Sequence, residues 1–389
     1  MKVKFLHLSG LVLLLSLTSC STPKSEQRFY RLDPKTWPSN TVVLDDIIKD
    51  VRVVPLETHP DALISYLYAI RFSKDNMYMG EEDKILCFSR DGKFIRRIGN
   101  KGKGPGEFYS ASSRSILVNE TKSEFLLHDV NRRKFLYYSL DGKFLRETKI
   151  KVMSNTVEMI TPDLLALHSG RMGGNADNYE LMFSDWNGNI LGRYYPFAKP
   201  LWGDGCRGFA EADQEGSCLY HKIMDYNIYQ IFPDHIDTLM TLDFGTSNID
   251  TAKYFGPGEY FVSRDEPDKV QGFRSVSNTG DHLAAIISMG FNARGLWLLD
   301  WKTGNQTFLP ADSTEYMGTY LGLPIRIPAQ ASESWFIAMA NGIDWFTAIS
   351  NLAESEKADL RKKVPGFGAA EKGDENANPV LVFFRFERI

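Results

Sequence analysis

Apolar and polar positions along this chain group into short strand-length runs that come in pairs. From Lys84, KILCFSRDGKFIRRIG opens with an apolar strand, turns at Asp91-Gly92 and leaves on a second strand. Asp-Gly between two such runs predicts a hairpin, with both turn residues at positive φ. The pattern returns from Lys134 (KFLYYSLDGKFLRETKI, turning at Asp141-Gly142) and from Glu180 (ELMFSDWNGNILGRYYPF, turning at Asn187-Gly188). Weaker copies begin at Asn227, turning near Asp234-His235, and at Gly295, turning at Thr303-Gly304. The first three turns lie 50 and 46 residues apart.

A fixed period of this size fits a four-stranded propeller blade. Each hairpin is then the outer strand pair of one blade, with two inner strands upstream. Blade two supplies them as Arg114 to Val118 and Glu124 to His128, and blade five as Phe273 to Ser277 and His282 to Ser288. For the sixth blade the inner strands are Pro324 to Pro328 and Ser334 to Ala340, followed by an insertion from Asn341 to Lys363 whose part Asn351 to Lys362 has helical composition. Its third strand is VLVFFRFER, Val380 to Arg388, and its fourth is borrowed from the other end of the chain, VRVVPLE at Val51 to Glu57. Joining first and last segments closes the ring and removes free sheet edges. The expected fold is all-β, a six-bladed β-propeller with blades near 62–106, 107–153, 154–203, 204–254, 268–315 and 316–389 with 42–58.

After the first hairpin the sequence reads GNKGKGPGEF, Gly99 to Phe108. With FSRDGKFIRRI before it and VVPLET at Val53 to Thr58, the chain resembles the six-bladed β-propeller lipoproteins of gut Gram-negative bacteria, and it is similar to NHL-repeat propellers. The resemblance implies the fold and an envelope location; it implies no assigned activity, since fold alone does not give function. A related string, Gly256-Pro257-Gly258-Glu259-Tyr260, lacks the Lys-Ser/Thr ending of a phosphate loop and reads as an inter-blade turn.

The first residues add an address. Lys2 and Lys4 precede a mostly apolar run from Phe5 to Leu17, too short to span a bilayer and of the right length for a secretory signal. Leu17-Thr18-Ser19-Cys20 resembles the lipobox, which implies acylation of Cys20. The expected organisation is a signal peptide over 1–19, a tether over 20–41 and the propeller over 42–389, lipid-anchored to the outer membrane on its periplasmic or surface face. Composition is that of a globular protein, 43% apolar and 24% charged, with 13% aromatics. A formal charge of −4 argues against a nucleic-acid partner. Export permits a disulfide, and Cys206 and Cys218 are close enough in sequence to form one. Cys87, inside an apolar run, reads as a buried thiol.

Two sets of side chains are candidates for chemistry. His128, His168 and His221 each end a predicted second strand (EFLLH, DLLALH, SCLYH). Equal positions on successive blades point in similar directions, and three converging imidazoles suit proton transfer or a metal. The competing reading makes them hydrogen-bonded strand ends. Arg114, Arg207, Arg274 and Arg326 stand near the starts of inner strands, where guanidinium forks suit a carboxylate or sulfate; the competing reading is scattered surface ion pairs. Trp202 and Tyr260 are candidates to stack on sugar rings or to fill core. No cofactor is indicated. The expected function is an envelope protein that binds a glycan, peptide or protein partner through a propeller face. The alternative is a lyase or hydrolase acting on an anionic substrate with these histidines, with or without a metal. A purely structural envelope component is the third reading.

Overall fold

The computed structural model describes residues 27–39, 42–64, 69–81, 83–111, 116–171, 178–198, 208–212, 215–222, 224–251, 266–289, 292–312 and 315–389. The chain forms a ring of six antiparallel four-stranded blades. Blade two shows how the sequence builds each one. Its strands are Ile116–Asn119, Glu124–Asp129, Lys134–Ser139 and Phe144–Lys149, paired in order from the axis outward. KFLYYS is buried at five of its six positions because neighbouring blades cover both faces of a middle strand. FLRETK, on the rim, alternates between half-buried and exposed.

The expected turns are present, but their chemistry differs from the expectation. In blade two, Ser139 N donates to Lys143 O at 2.9 Å and Gly142 N to Ser139 O at 2.8 Å, closing a three-residue loop. Gly142 lies at φ +89°, whereas Asp141 is not at positive φ. This is a type I turn ended by a left-handed glycine, so only the second residue needs glycine's freedom. What Asp141 contributes is its side chain, which accepts from Ser139 Oγ. Blade one repeats the device, with Gly92 at φ +86°. A Cβ on Gly92 would lie 2.2 Å from the carbonyl of Pro55, so blade six also needs a glycine there.

Six apolar clusters fill the wedges between successive blades. The cluster between blades two and three joins Leu126, Phe135 and Tyr137 to Val157, Leu165 and Met182. The GNKGKGPGEF segment forms a tight connection between blades one and two. Gly104 N donates to the Glu107 carboxylate at 2.7 Å, and Tyr138 Oη donates to Gly106 O at 2.8 Å.

Ring closure follows the expected pairing. Ile48–Pro55 runs antiparallel to Val380–Phe386, with Val51 opposite Phe384 and Val53 opposite Val382. The inner strand of that blade is a correction. Pro324 to Pro328 does not supply it; Gln330–Ser332 does. Leu323–Arg326 instead pairs with Tyr316–Tyr320, whose other edge takes Val42–Val43, in a separate three-stranded sheet. Leu321 and Gly322, at φ +49° and +82°, fold that hairpin sharply enough for Met317, Leu323 and Ile325 to cap the core of blade six. The insertion holds helices Gly342–Ser350, Glu354–Lys363 and Phe367–Ala370.

Residues 28–39 are likewise not a loose tether. Arg28–Arg31 adds a parallel fifth strand to the rim of blade four, and Leu32 N donates to Asp243 O at 2.8 Å. Trp37 then stacks on Phe308 of blade five, ring centroids 4.0 Å apart. The apolar members of this strap, Tyr30, Leu32 and Trp37, join the wedge core between blades four and five.

Candidate functional site

The innermost strands are stapled to one another by polar side chains. Arg71, on Ala69–Phe72, donates to Ile116 O of blade two at 2.9 Å and pairs with Glu158 of blade three at 2.7 Å. Gln330 of blade six brackets Ile70, giving its amide to Ile70 O at 2.8 Å and accepting from Ile70 N at 3.2 Å. Glu211 of blade four meets solvent inside this ring while protein surrounds it. Lost hydration raises its pKa from 4.5 to about 7; Arg71 and Ser332 oppose the rise and Glu158 and Glu333 add to it.

The three predicted histidines share an environment, and it is the wedge between blades. His128, His168 and His221 are at most 1% exposed. His128 Nε2 lies 3.3 Å from Ser154 Oγ, and burial alone drives its pKa down to about 3, so the ring is neutral. His168 Nδ1 lies 3.0 Å from the Tyr220 hydroxyl of blade four, and His221 packs edge-on to Phe273 of blade five. Equal strand positions gave equal directions, toward the next blade and away from solvent. Arg274 and Arg326 are brought together: both pair with Glu315, and Arg326 also lies over Tyr316. Arg114, Arg207, Cys20, Cys206, Trp202, Tyr260 and the Gly256 to Tyr260 string lie outside the described residues. Cys87 is a buried thiol with its pKa pushed up to about 11, and Cys218 is a buried free thiol.

A separate opening lies between blades five and six, on the side of the first-to-second and third-to-fourth strand turns. It is a cleft of about 540 Å³. Its floor is His282 and Asp300, 4% and 1% exposed, with Nε2 and Oδ2 3.9 Å apart. Neither of those two atoms has a hydrogen-bond partner among the described residues. Burial lowers the His282 pKa against the pull of Asp300, Asp281 and the Glu387 backbone, which leaves a neutral ring. Burial pushes the Asp300 carboxyl up, but the amides of Thr303 and Lys302, together with His282, outweigh it and hold it below its usual range. Lys49, Lys302 and Arg388 stand at the edge, and none forms an ion pair with a described residue. Trp301 joins them, its indole N–H fixed by Asn278 Oδ1 at 2.8 Å.

Sequence reading missed this cleft because it looked at the ends of second strands. His282 begins one. The usable signal was that Asp281-His282 and Asp300 occupy the two turns of one blade that open on the same face of the ring. Among the described residues no group of three or more His, Cys, Asp or Glu side chains is placed to hold a metal ion. Nor is any described helix long and apolar enough to cross a membrane.

Among solved structures, the chain is similar to a Bacteroides fragilis protein named as exported, at 15% identity and a TM-score of 0.72, covering 93% of this chain and all of that one. A Bacteroides vulgatus member of the DUF4221 family matches at 11% identity and a TM-score of 0.46, over 88% and 99% of the two chains. The first likeness supports the propeller fold. No curated protein matches the sequence. The family model for the domain of unknown function DUF4934 matches residues 31–385, which span all six blades, and the chain belongs to that family.

Proposed function

We propose that this protein is a lipid-anchored binding protein of the cell envelope whose cleft between blades five and six takes an anionic saccharide. The observation that carries the reading is the cleft itself, concave, with Lys49, Lys302, Arg385 and Arg388 outnumbering Asp281, Asp300 and Glu387 in its lining. Its volume lies in the range of small-ligand pockets, roughly 300 to 1,000 Å³, and a concave pocket suits a small ligand better than a protein surface. A neutral His282 beside an ionised Asp300 supplies a hydrogen-bond donor or acceptor next to a fixed acceptor, the pairing that hydroxyl groups need. Binding of oligogalacturonate, with uncharged maltotriose as the control, tests it. The Lys49→Gln, Lys302→Gln protein should bind the acidic oligosaccharide about tenfold more weakly, the equivalent of about 1.4 kcal/mol. Wild-type affinity should also fall as salt rises. Equal affinity for maltotriose, or an unaffected double variant, would refute the cleft as an anion site.

The envelope location is supported by the signal-like start, by the lipobox-like sequence ending at Cys20, and by the exported name of the similar Bacteroides fragilis protein. Expressed in a Gram-negative host, the Cys20→Ala protein should leave the membrane pellet for the soluble fraction. A variant that still sediments with membranes and takes up labelled palmitate would rule the anchor out.

A further inference from the structure

A second concentration of charge lies beside the cleft, between blades six and one. Arg52 on Ile48–Pro55, Arg385 on Val380–Phe386 and Arg90 in the outer turn of blade one converge around Trp335 and the Glu333-Ser334 turn. The Arg52 guanidinium sits 4.1 Å from the Phe383 ring centre and 5.1 Å from that of Trp335; Arg385 sits 4.1 Å from the same indole. Arg90 lies 4.5 Å over Phe72 and pairs with Glu333. Aromatic faces thus hold three cations that would otherwise separate.

The cluster has more positive charge than its carboxylates satisfy. Glu333 pairs with Arg90 alone, and Asp50, the cross-strand neighbour of Arg385, forms no ion pair with it. Arg385 Nε donates to Ser334 O at 3.0 Å. The Arg52 Nε is buried and has no hydrogen-bond partner among the described residues. Its pKa is lowered, first by burial and then by Arg90 and Arg385, with Glu333 opposing.

The turn that carries Glu333 is itself unusual. Ser332 pairs with Trp335, leaving a two-residue loop in which Glu333 and Ser334 both take left-handed φ, +52° and +64°. Such loops favour Asn-Gly, and two side-chain-bearing residues hold it at an energetic cost. Strain of this kind gathers at ligand clamps. Here it turns the Glu333 side chain toward Arg90 and the Ser334 carbonyl toward Arg385.

We propose that Arg52, Arg90 and Arg385, around the Glu333-Ser334 turn, form a binding site for a tetrahedral oxyanion, the head group of a sulfate or phosphate ester, and that the Glu333 carboxylate holds its place in the free protein. A carboxylate offers two oxygens in one plane and satisfies one guanidinium fork. A tetrahedral anion offers oxygens in several directions, which three forks from three strands and turns require. This site shares Ser334 and Arg385 with the wall of the cleft but does not depend on the cleft binding anything.

Inorganic sulfate and inorganic phosphate are the probes, titrated against sodium chloride at equal ionic strength while the melting temperature is followed. Sulfate stabilises proteins in general at high concentration, without saturation. A site gives a saturable rise at millimolar concentration with one or both anions. The Arg90→Gln protein should require about tenfold more anion. Glu333→Gln, with the competing charge removed, should require several-fold less. Glu333→Asp gives a milder form of the same change should Glu333→Gln not fold. Lys302→Gln, which touches only the cleft, should titrate like wild type. The proposal is overturned by a linear response shared by every variant, or by weaker binding in Glu333→Gln. It is overturned equally if Lys302→Gln abolishes saturation as Arg90→Gln does, because that result places the anion in the cleft.

Discussion

Glu211 stands at the end of the innermost strand of blade four, where the ring makes its ionisation expensive. Removal from bulk water comes first among the causes, the Glu158 carboxylate adds to it, and Arg71, already committed to Glu158, only partly compensates. The folded carboxyl titrates near 7 and the ordinary one near 4.5, so the folded state holds its proton over that interval while the unfolded chain loses it. Stability from this group is full below about 4.5, falls as pH rises toward 7 and is level above that. Glu211→Gln removes the penalty. Its melting temperature relative to wild type should therefore be higher at pH 8 than at pH 5, measured by calorimetry. A difference that does not change with pH would show that Glu211 does not titrate in this interval. His128 runs the opposite way: burial keeps it neutral, so it opposes folding only in acid.

The hairpins were readable from sequence because their signal is local. A glycine after Asp or Asn, between strand-like runs, is fixed by a few neighbouring backbone angles, and the structure puts Gly92, Gly142 and Gly188 at φ between +84° and +89°. The wedge histidines were half readable. Strand position told their common direction but not what the next blade would place against them, because Tyr220 and Phe273 come from 52 residues further on in each pair. Three elements were misread or missed for the same reason. Leu323–Arg326 has a strand's pattern, and only its partners show that it belongs to a small side sheet. The strap from Arg28 to Trp37 looks polar and loose until blades four and five supply its partners. The arginine cluster joins the two ends of the chain to the first hairpin, and no spacing rule connects positions 52, 90 and 385.

For the whole molecule, what matters is that the ring is closed by a strand from each end. In an open repeat array each unit touches only its neighbours, and damage stays local. Here Val380–Phe386 lies between Trp335–Ala340 and Ile48–Pro55, and its side chains feed two wedge cores: Leu381 and Phe383 toward blade one, Val382, Phe384 and Phe386 toward blade five. The outer edge of the closing strand is covered as well. Val53 N donates to Pro365 O at 2.9 Å, and Gly366, at φ +87°, lets the insertion approach so closely that a Cβ there would lie 1.9 Å from Val53 O. Opening this blade would expose sheet edges at both ends of the chain at once. Phe384 is fully buried, and replacing it with alanine should cost about 3 to 5 kcal/mol. Native-state hydrogen exchange separates a closed ring from a modular one. If closure holds the ring as one unit, the slowest amides of blade three, such as those of Leu165–Leu167 across the ring, should lose as much protection in Phe384→Ala as those of blade six. Loss confined to blades five, six and one, with blade three unchanged, would mean that the blades open independently and that strand pairing at the ends does not couple the ring.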